Sequence, residues 1–282
     1  MARFAGIILL LTMIFSPADA GTLRVISLYP GHSDNIAAMG GGEILVALSE
    51  NDDDDLLPEL PRVPLRSGAE RIFALSPDVV ITRPFAERAS PNLYDVLRRS
   101  GVKVVSIDPP SWDDFPEYLR TLAETLHLDP DSAISRLNSV RDEISRKAET
   151  SNRPRVFLEA TSRELHTCSP DSWAARLIEL SGGVNIAGDA LPLRNGSAIA
   201  SWGVERVIKN AESLDIYIIQ TGAMNTSTAE SFRAREWAGA LRNVKVCEIP
   251  ERYISRPSLL GLERGGRELL RIFSREESEN AR

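Results

Sequence analysis

The sequence predicts an α/β protein of two Rossmann-like lobes with central parallel sheets, joined by a single long helix and separated by a cleft. Three observations predict this class. The β-branched strand pattern of residues 24–28 recurs at 155–159, and the short helix, turn and apolar strand of 70–81 recur at 205–219. Between the two copies lies one amphipathic helical pattern. These repeats favour two related lobes, and chance similarity within one large α/β domain stays open as the alternative.

The predicted strands are short and apolar. Residues 24–28 and 44–48 form the first two, and the apolar runs at 79–81 and 216–219 lack the alternation of a half-exposed strand. Continuous apolar strands are typical of parallel sheets that helices cover on both faces. We therefore assign the N-terminal lobe to 21–127 and the C-terminal lobe to 151–282.

The connecting helix is predicted over 128–150. Pro130 and the acids beside it favour a helix start, and the polar segment 151–154, which ends in proline, breaks the pattern. In between, apolar residues recur every three or four positions. A single helix of this length predicts a stiff connection, which permits small adjustments of the cleft rather than wide hinge closure.

Composition excludes several functions. The chain carries 33 basic and 40 acidic residues for a net charge of −7, with no basic stripe. Nucleic acid is therefore not an expected partner. Two cysteines cannot form a four-cysteine zinc site, and three histidines form a three-histidine site only if all of them are ligands.

Residues 1–20 predict a cleavable signal peptide. Arg3 precedes the apolar run 4–15, and the small-residue triplet 18–20 forms the cleavage site. No cysteine follows that site, so the protein is not expected to be a lipoprotein. Export to an oxidising compartment permits a disulfide between Cys168 and Cys247, and two separate thiols remain the alternative.

The chain resembles the periplasmic substrate-binding proteins of ABC importers for iron-siderophores, haem and cobalamin. The segments that carry the resemblance are 24–28, 70–81, 175–186 with its Gly182–Gly183 turn, and 255–258 before a closing helix. The resemblance implies a periplasmic monomer that is not an enzyme and has no cofactor. It also implies a bulky metal-chelate ligand, with ferric siderophore first and cobalamin or another corrinoid and haem close behind, and as partners a membrane permease with its ATPase.

The resemblance also assigns two carboxylates to docking. In this family one surface glutamate on each lobe contacts arginines of the permease, and the matching residues are Glu70 and Glu205. Each opens a predicted helix, where a glutamate also stabilises the helix by about 0.3–1 kcal/mol through its dipole. The two interpretations are compatible.

Ligand contacts are expected from the loops that follow the strands, where open α/β sheets form a crevice. His32 and His166 could face one another across the cleft and coordinate a metal, or simply bind loop backbone. Trp112 and Trp202 could form aromatic walls, and Arg256, a matched family position, could pair with anionic groups. The predicted ligand-binding residues are Tyr29, His32, Arg83, Phe85, Trp112, His166, Cys168, Trp202 and Arg256.

The acidic run Asp52–Asp55 leaves two interpretations, a solvated acidic turn or a site for a hard cation or a cationic ligand. We expect no resident metal and no catalytic residues, because no nucleophile elbow, zinc-protease motif or phosphate-binding loop is present. An exported hydrolase, a haem or metal-ion binder and a sensor using the same fold are the alternatives.

Overall fold

The structure, a computed structural model, describes residues 22–53, 55–64 and 66–274, so the predicted signal peptide lies outside the described residues. The strands are β1 (Val25–Ser27), β2 (Leu45–Ser49), β3 (Arg62–Val63), β4 (Val79–Thr82), β5 (Lys103–Ser106), β6 (Arg155–Glu159), β7 (Thr167–Cys168), β8 (Val184–Asn185), β9 (Leu191–Pro192), β10 (Ile199–Ser201), β11 (Ile216–Thr221) and β12 (Lys245–Pro250). The helices are α1 (Pro30–Ala38), α2 (Ala69–Phe73), α3 (Pro84–Ala89), α4 (Pro91–Arg99), α5 (Phe115–Leu126), α6 (Asp131–Ala148), α7 (Trp173–Leu180), α8 (Val204–Lys209), α9 (Ala229–Arg233), α10 (Glu251–Ile254) and α11 (Leu259–Phe273).

The first lobe is built on a five-stranded parallel sheet in the order β3-β2-β1-β4-β5. Its central strands are buried on both faces. On one face of the sheet, Val25 and Ile81 pack in the cluster that includes α1 and α5. On the other face, Ile26 and Val80 pack with α2 and α4. This two-sided burial explains why these strands are apolar without alternation.

The second lobe is built on a four-stranded parallel sheet in the order β12-β11-β6-β8. A small antiparallel sheet, β7-β10-β9, accompanies it. Residues 160–172 join β6 to α7 and residues 186–203 join β8 to α8, so the small sheet lies at the carboxyl edge of the larger one. Two parallel sheets covered by helices confirm the predicted fold class.

The two lobes share one hydrophobic core. A single apolar cluster contains Val25 and Val79 of the first sheet together with Val156 and Ile218 of the second. Leu137 of α6 and residues of α5 and α11 fill the space between the sheets. The lobes are therefore packed against each other through helices, in addition to being joined along the chain by α6.

Close packing of α11 depends on two adjacent glycines. A Cβ at Gly265 would lie 2.0 Å from the carbonyl oxygen of Tyr253 in α10, and a Cβ at Gly266 would lie 2.2 Å from Cδ1 of Ile144 in α6. Glycine lets the helix approach both neighbours at the junction of the lobes, and the Arg136–Glu263 ion pair, at 2.5 Å, ties α6 to α11.

Within the described ranges, no helix combines the length and apolarity needed to cross a membrane.

Candidate ligand-binding cleft

Each parallel sheet has one point at which the direction of strand succession reverses. In the first lobe the chain moves outward from β1 to β2 and β3 on one side, and from β4 to β5 on the other. In the second lobe the reversal lies between β6 and β11. Ligands of open α/β sheets bind beside the carboxyl ends of the strands at such points, so the loops after these four strands define the candidate site.

Tyr29 and Arg83 flank the reversal point of the first lobe, because they follow β1 and β4. The guanidinium carbon of Arg83 lies 4.2 Å from the centroid of the Tyr29 ring. The centroid of the His32 ring lies 4.9 Å from the same point, with the two rings nearly perpendicular. The backbone of Gly31 passes so close that a Cβ there would lie 2.6 Å from Cε1 of Tyr29. These contacts fix the tyrosine ring and the arginine that stacks on it.

The environment of Tyr29 favours the neutral phenol. Burial raises the pKa of Tyr29, although the positive charges of Arg83 and Arg256 oppose that rise. Arg256 and Glu251 belong to the second lobe and act on Tyr29 across the cleft. Tyr29 therefore keeps its phenolic proton, which can be donated in a hydrogen bond.

His32 does not lie in the cleft. Its ring is fully buried; Nδ1 is 2.7 Å from the Tyr118 hydroxyl, and Nε2 is 3.1 Å from the carbonyl oxygen of Ile107. Burial lowers the pKa of His32 to about 4. The expectation that His32 and His166 face one another is wrong, because Pro30 starts α1 and the helix turns His32 into the lobe.

Two predicted contacts of the second lobe are also buried. Cys168 is 1% exposed, burial raises the pKa of its thiol to about 11, and no disulfide joins it to Cys247. Trp202 is 6% exposed, stacks on Phe157 at 5.2 Å and donates Nε1–H to Asp189 at 3.1 Å. A ligand in the cleft cannot reach these side chains in this structure, so we leave both out of the candidate site together with His32.

The remaining aromatic predictions differ in their surroundings. Trp112 lies 4.7 Å from Trp173 of the second lobe, and Arg141 of α6 stacks on it at 4.4 Å. Trp112 therefore packs at the junction between the lobes. Phe85, after β4, is 58% exposed beside Arg83, which leaves its ring available to a ligand.

His166 lies in the loop after β6, with Nε2 3.4 Å from Glu164. Its side chain is 13% exposed.

The acidic run joins the lobes. Asp53 lies 3.1 Å from both Arg252 and Arg256 of the second lobe, and Asp55 lies 3.4 Å from Arg264. Asp53 is 12% exposed and is not part of a solvated turn, whereas Asp55 remains 57% exposed. Both carboxylates have arginine partners, so neither stands free for a cation. Asp54 lies outside the described residues, and elsewhere in the described ranges no three metal-binding side chains gather. No local sequence pattern reveals these pairs, because Asp53 and Arg256 are 203 positions apart and Asp55 and Arg264 are 209 apart.

Arg256 therefore links the two lobes through ion pairs with carboxylates of the first lobe. Besides Asp53, it lies 3.7 Å from the buried Asp34 of α1. Burial raises the pKa of Asp34 to about 6 and that of the neighbouring Asp52 to about 7. The contact between the lobes therefore contains acids that titrate near neutral pH.

A second polar network lies at the reversal point of the C-terminal lobe. Arg235 forms two hydrogen bonds to the fully buried carboxylate of Glu159, at 2.7 and 2.8 Å. The Tyr217 hydroxyl donates to the same carboxylate at 2.6 Å, and Asn225 donates at 3.2 Å. Hydrogen bonds to Arg235 and Tyr217 hold the pKa of Glu159 below its ordinary value despite burial. The only sequence signal was the polar end of an otherwise apolar strand.

The two predicted docking glutamates occupy equivalent positions. Glu70 lies in the first turn of α2 and Glu205 in the first turn of α8, and both are exposed. Each helix precedes a central strand of its sheet, so both first turns lie at the carboxyl edge of that sheet. Glu205 also borders a surface pocket of about 450 Å³ that belongs to the second lobe alone and includes Arg235 and Trp237.

These features define a class: a two-lobed α/β solute-binding protein whose cleft lies between the reversal points of two parallel sheets. No family model matches the chain. It is 30% identical over 195 residues, 66% of this chain and 67% of the relative, to vitamin B12-binding proteins of Yersinia pseudotuberculosis. Vitamin B12-binding proteins of Yersinia pestis match over the same length with the same identity.

Solved structures show the same fold. A possible iron-binding periplasmic solute-binding protein of Staphylococcus epidermidis superposes with a TM-score of 0.71 at 20% identity, covering 89% of this chain and 98% of that one. The periplasmic haem-binding protein of Vibrio cholerae gives 0.71 at 18% identity, with coverage of 89% and 98%. The periplasmic vitamin B12-binding protein of that organism gives 0.61 at 23% identity, with coverage of 90% and 98%. The chain belongs to the periplasmic substrate-binding proteins of ABC importers for iron chelates, haem and vitamin B12.

Proposed function

We propose that this protein captures a corrinoid in the cleft and delivers it to the permease of an ABC importer. The observation that carries the ligand class is the 30% identity to vitamin B12-binding proteins across 195 residues. This identity moves a corrinoid ahead of the ferric siderophore that the sequence alone favoured. The exposed ring of Phe85 beside the cleft is the kind of surface that a large, largely apolar ring system contacts.

An iron chelate or haem is the second candidate, because proteins with those ligands share the fold. The two candidates are separated by equilibrium dialysis or calorimetry of the purified chain with cyanocobalamin, dicyanocobinamide, haemin and a ferric hydroxamate. We expect saturable binding of a corrinoid at micromolar concentration or below. Preferential binding of haemin or the hydroxamate would replace the corrinoid by the second candidate, and binding of none would refute both.

Delivery requires a permease contact, which we assign to Glu70 and Glu205. Both are exposed at the first turns of equivalent helices, one on each lobe. In cells that express the importer, the double variant Glu70→Lys, Glu205→Lys should lose uptake while the purified protein keeps its affinity for the ligand. A matched control reverses Glu230, an exposed glutamate in the first turn of α9. A parallel fall in affinity would show that these glutamates serve the ligand site instead.

The proposed role includes export and the absence of catalysis. The predicted signal peptide would place the mature protein, from residue 21, in the periplasm as a monomer without a cofactor. Mass spectrometry of the protein from the periplasmic fraction would give its N-terminus, and an unchanged ligand after prolonged incubation would support binding without chemistry.

A further inference from the structure

We propose that Arg83, held on the ring of Tyr29, binds an anionic oxygen of the ligand, either a phosphodiester or a carboxylate. The inference rests on the proposed function, because it concerns the same cleft. The sequence predicted both Arg83 and Arg256 as ligand contacts, and we assign recognition of the negative charge to Arg83.

Unlike Arg235, Arg252 and Arg256, Arg83 has no carboxylate partner among the described residues. Arg252 and Arg256 pair with Asp53, and Arg235 pairs with Glu159. Arg83 contacts the face of Tyr29, and its Nε–H is buried without any acceptor in the described part of the chain. A buried donor without a partner is uncommon and points to a functional constraint at that position.

The location of Arg83 is the one at which a ligand is expected. It follows β4, and Tyr29 follows β1, so the stacked pair spans the reversal point of the first sheet. Asn35 of α1, the helix that Tyr29 precedes, donates a hydrogen bond to the carbonyl oxygen of Pro257 in the second lobe at 3.1 Å, so the pair lies close to the contact between the lobes. Stacking on a fixed ring orients the guanidinium plane before a ligand arrives, which reduces the entropic cost of binding.

The chemistry of the pair selects the group that it binds. A guanidinium has only donors and matches the two oxygens of a phosphate or carboxylate in a bidentate geometry. The neutral phenol of Tyr29 adds a donor beside it. Cobalamin carries one phosphodiester in its nucleotide loop, cobinamide is the corrin without that loop, and haem carries two carboxylates, so these three ligands separate the two sources of negative charge.

The test compares Arg83→Gln with the wild type and with Arg88→Gln, an exposed arginine on α3, the short helix that begins directly after Arg83. We expect Arg83→Gln to weaken cyanocobalamin binding by about tenfold to hundredfold, to leave dicyanocobinamide binding within about twofold, and Arg88→Gln to change neither. A selective loss of haemin affinity instead would identify a carboxylate as the anion. Equal losses for cyanocobalamin and cobinamide would overturn the proposal, because they would show contact with the uncharged corrin.

A second measurement separates this proposal from the proposed function. Inorganic phosphate, compared with chloride at equal ionic strength, should raise the melting temperature of the wild type and of Arg88→Gln more than that of Arg83→Gln. If none of the chelates binds the wild type, the proposed function fails, and the phosphate measurement still decides whether Arg83 is an anion site. An equal phosphate effect in all three proteins would overturn the assignment. Circular dichroism spectra of the variants confirm that each is folded.

Discussion

Replacing Asp52 by asparagine should remove part of the pH dependence of stability. Asp52 is 5% exposed; its Oδ2 accepts a hydrogen bond from the backbone N–H of Ser49 at 2.8 Å, and its Oδ1 is buried without a partner in the described residues. Burial, with the nearby charge of Asp34 adding to it, raises the pKa of Asp52 from 3.8 to about 7. Asparagine has the shape of the protonated acid and cannot ionise.

The magnitude follows from proton linkage. The folded protein binds the Asp52 proton more tightly than the unfolded chain, so the stability that this proton contributes is full below the ordinary pKa of 3.8 and is lost as the pH rises through about 7. At 1.36 kcal/mol for each unit by which the folded and unfolded pKa values differ, full ionisation of Asp52 lowers the free energy of unfolding by about 4 kcal/mol. About 2.5 kcal/mol of that cost develops between about pH 5 and pH 8.

The assay is urea unfolding of the wild type and Asp52→Asn between pH 5 and pH 8. The difference in free energy of unfolding, variant minus wild type, should increase by about 2.5 kcal/mol from pH 5 to pH 8. A constant effect of asparagine on stability would not alter this increase. Asp108→Asn, an exposed carboxylate in the same lobe, should run parallel to the wild type. Parallel profiles for Asp52→Asn as well would refute the argument that burial controls its ionisation.

Three further predictions follow from packing and charge. Gly265→Ala should lower the free energy of unfolding by about 1–3 kcal/mol through overpacking, although alanine has the better helix propensity. The control Gly239→Ala has open space around its Cβ position and should not lower it. Equal effects of the two substitutions in urea unfolding would contradict the close approach of α11 to α10. Arg235→Ala should lower the free energy of unfolding by about 3–5 kcal/mol, because it leaves the buried charge of Glu159 unpaired. Adding Glu159→Gln should recover much of that loss, as measured by thermal unfolding. No recovery would mean that lost packing, and not the unpaired charge, causes the destabilisation. Cys168 should resist iodoacetamide at pH 8 in the native protein and react in urea, as read by mass spectrometry of its peptide; rapid native labelling would contradict its burial.

The fold was readable from the sequence because its signals are local and repeated. Apolar strands such as β4 and β11, and the periodic helix α6, can be recognised from a short stretch of sequence. The two-residue strands β3 and β9 carry no such pattern, since Arg62–Val63 and the exposed Leu191–Pro192 gain their conformation only from pairing.

The candidate site was predicted in outline and not in detail. Because Tyr29 and Arg83 each follow a strand, they were correctly predicted to lie at one edge of the sheet. The same reasoning could not predict the direction in which a side chain points. The residues around His32 were interpreted as a loop, although Pro30 is the first residue of α1, and proline at a first helical position is itself a helix-start signal. The partners of Asp53 lie on the other lobe, and no local pattern reveals such pairs.

The apolar core that runs through both lobes has a consequence for how the protein competes for its transporter. Because separating the lobes would expose this core to water, we expect the empty and the ligand-bound protein to present nearly the same face to a transporter. Empty copies should then occupy docking sites in competition with loaded ones. The rate of import would depend on the fraction of the protein that carries cargo, and producing more of the protein without more cargo would slow uptake.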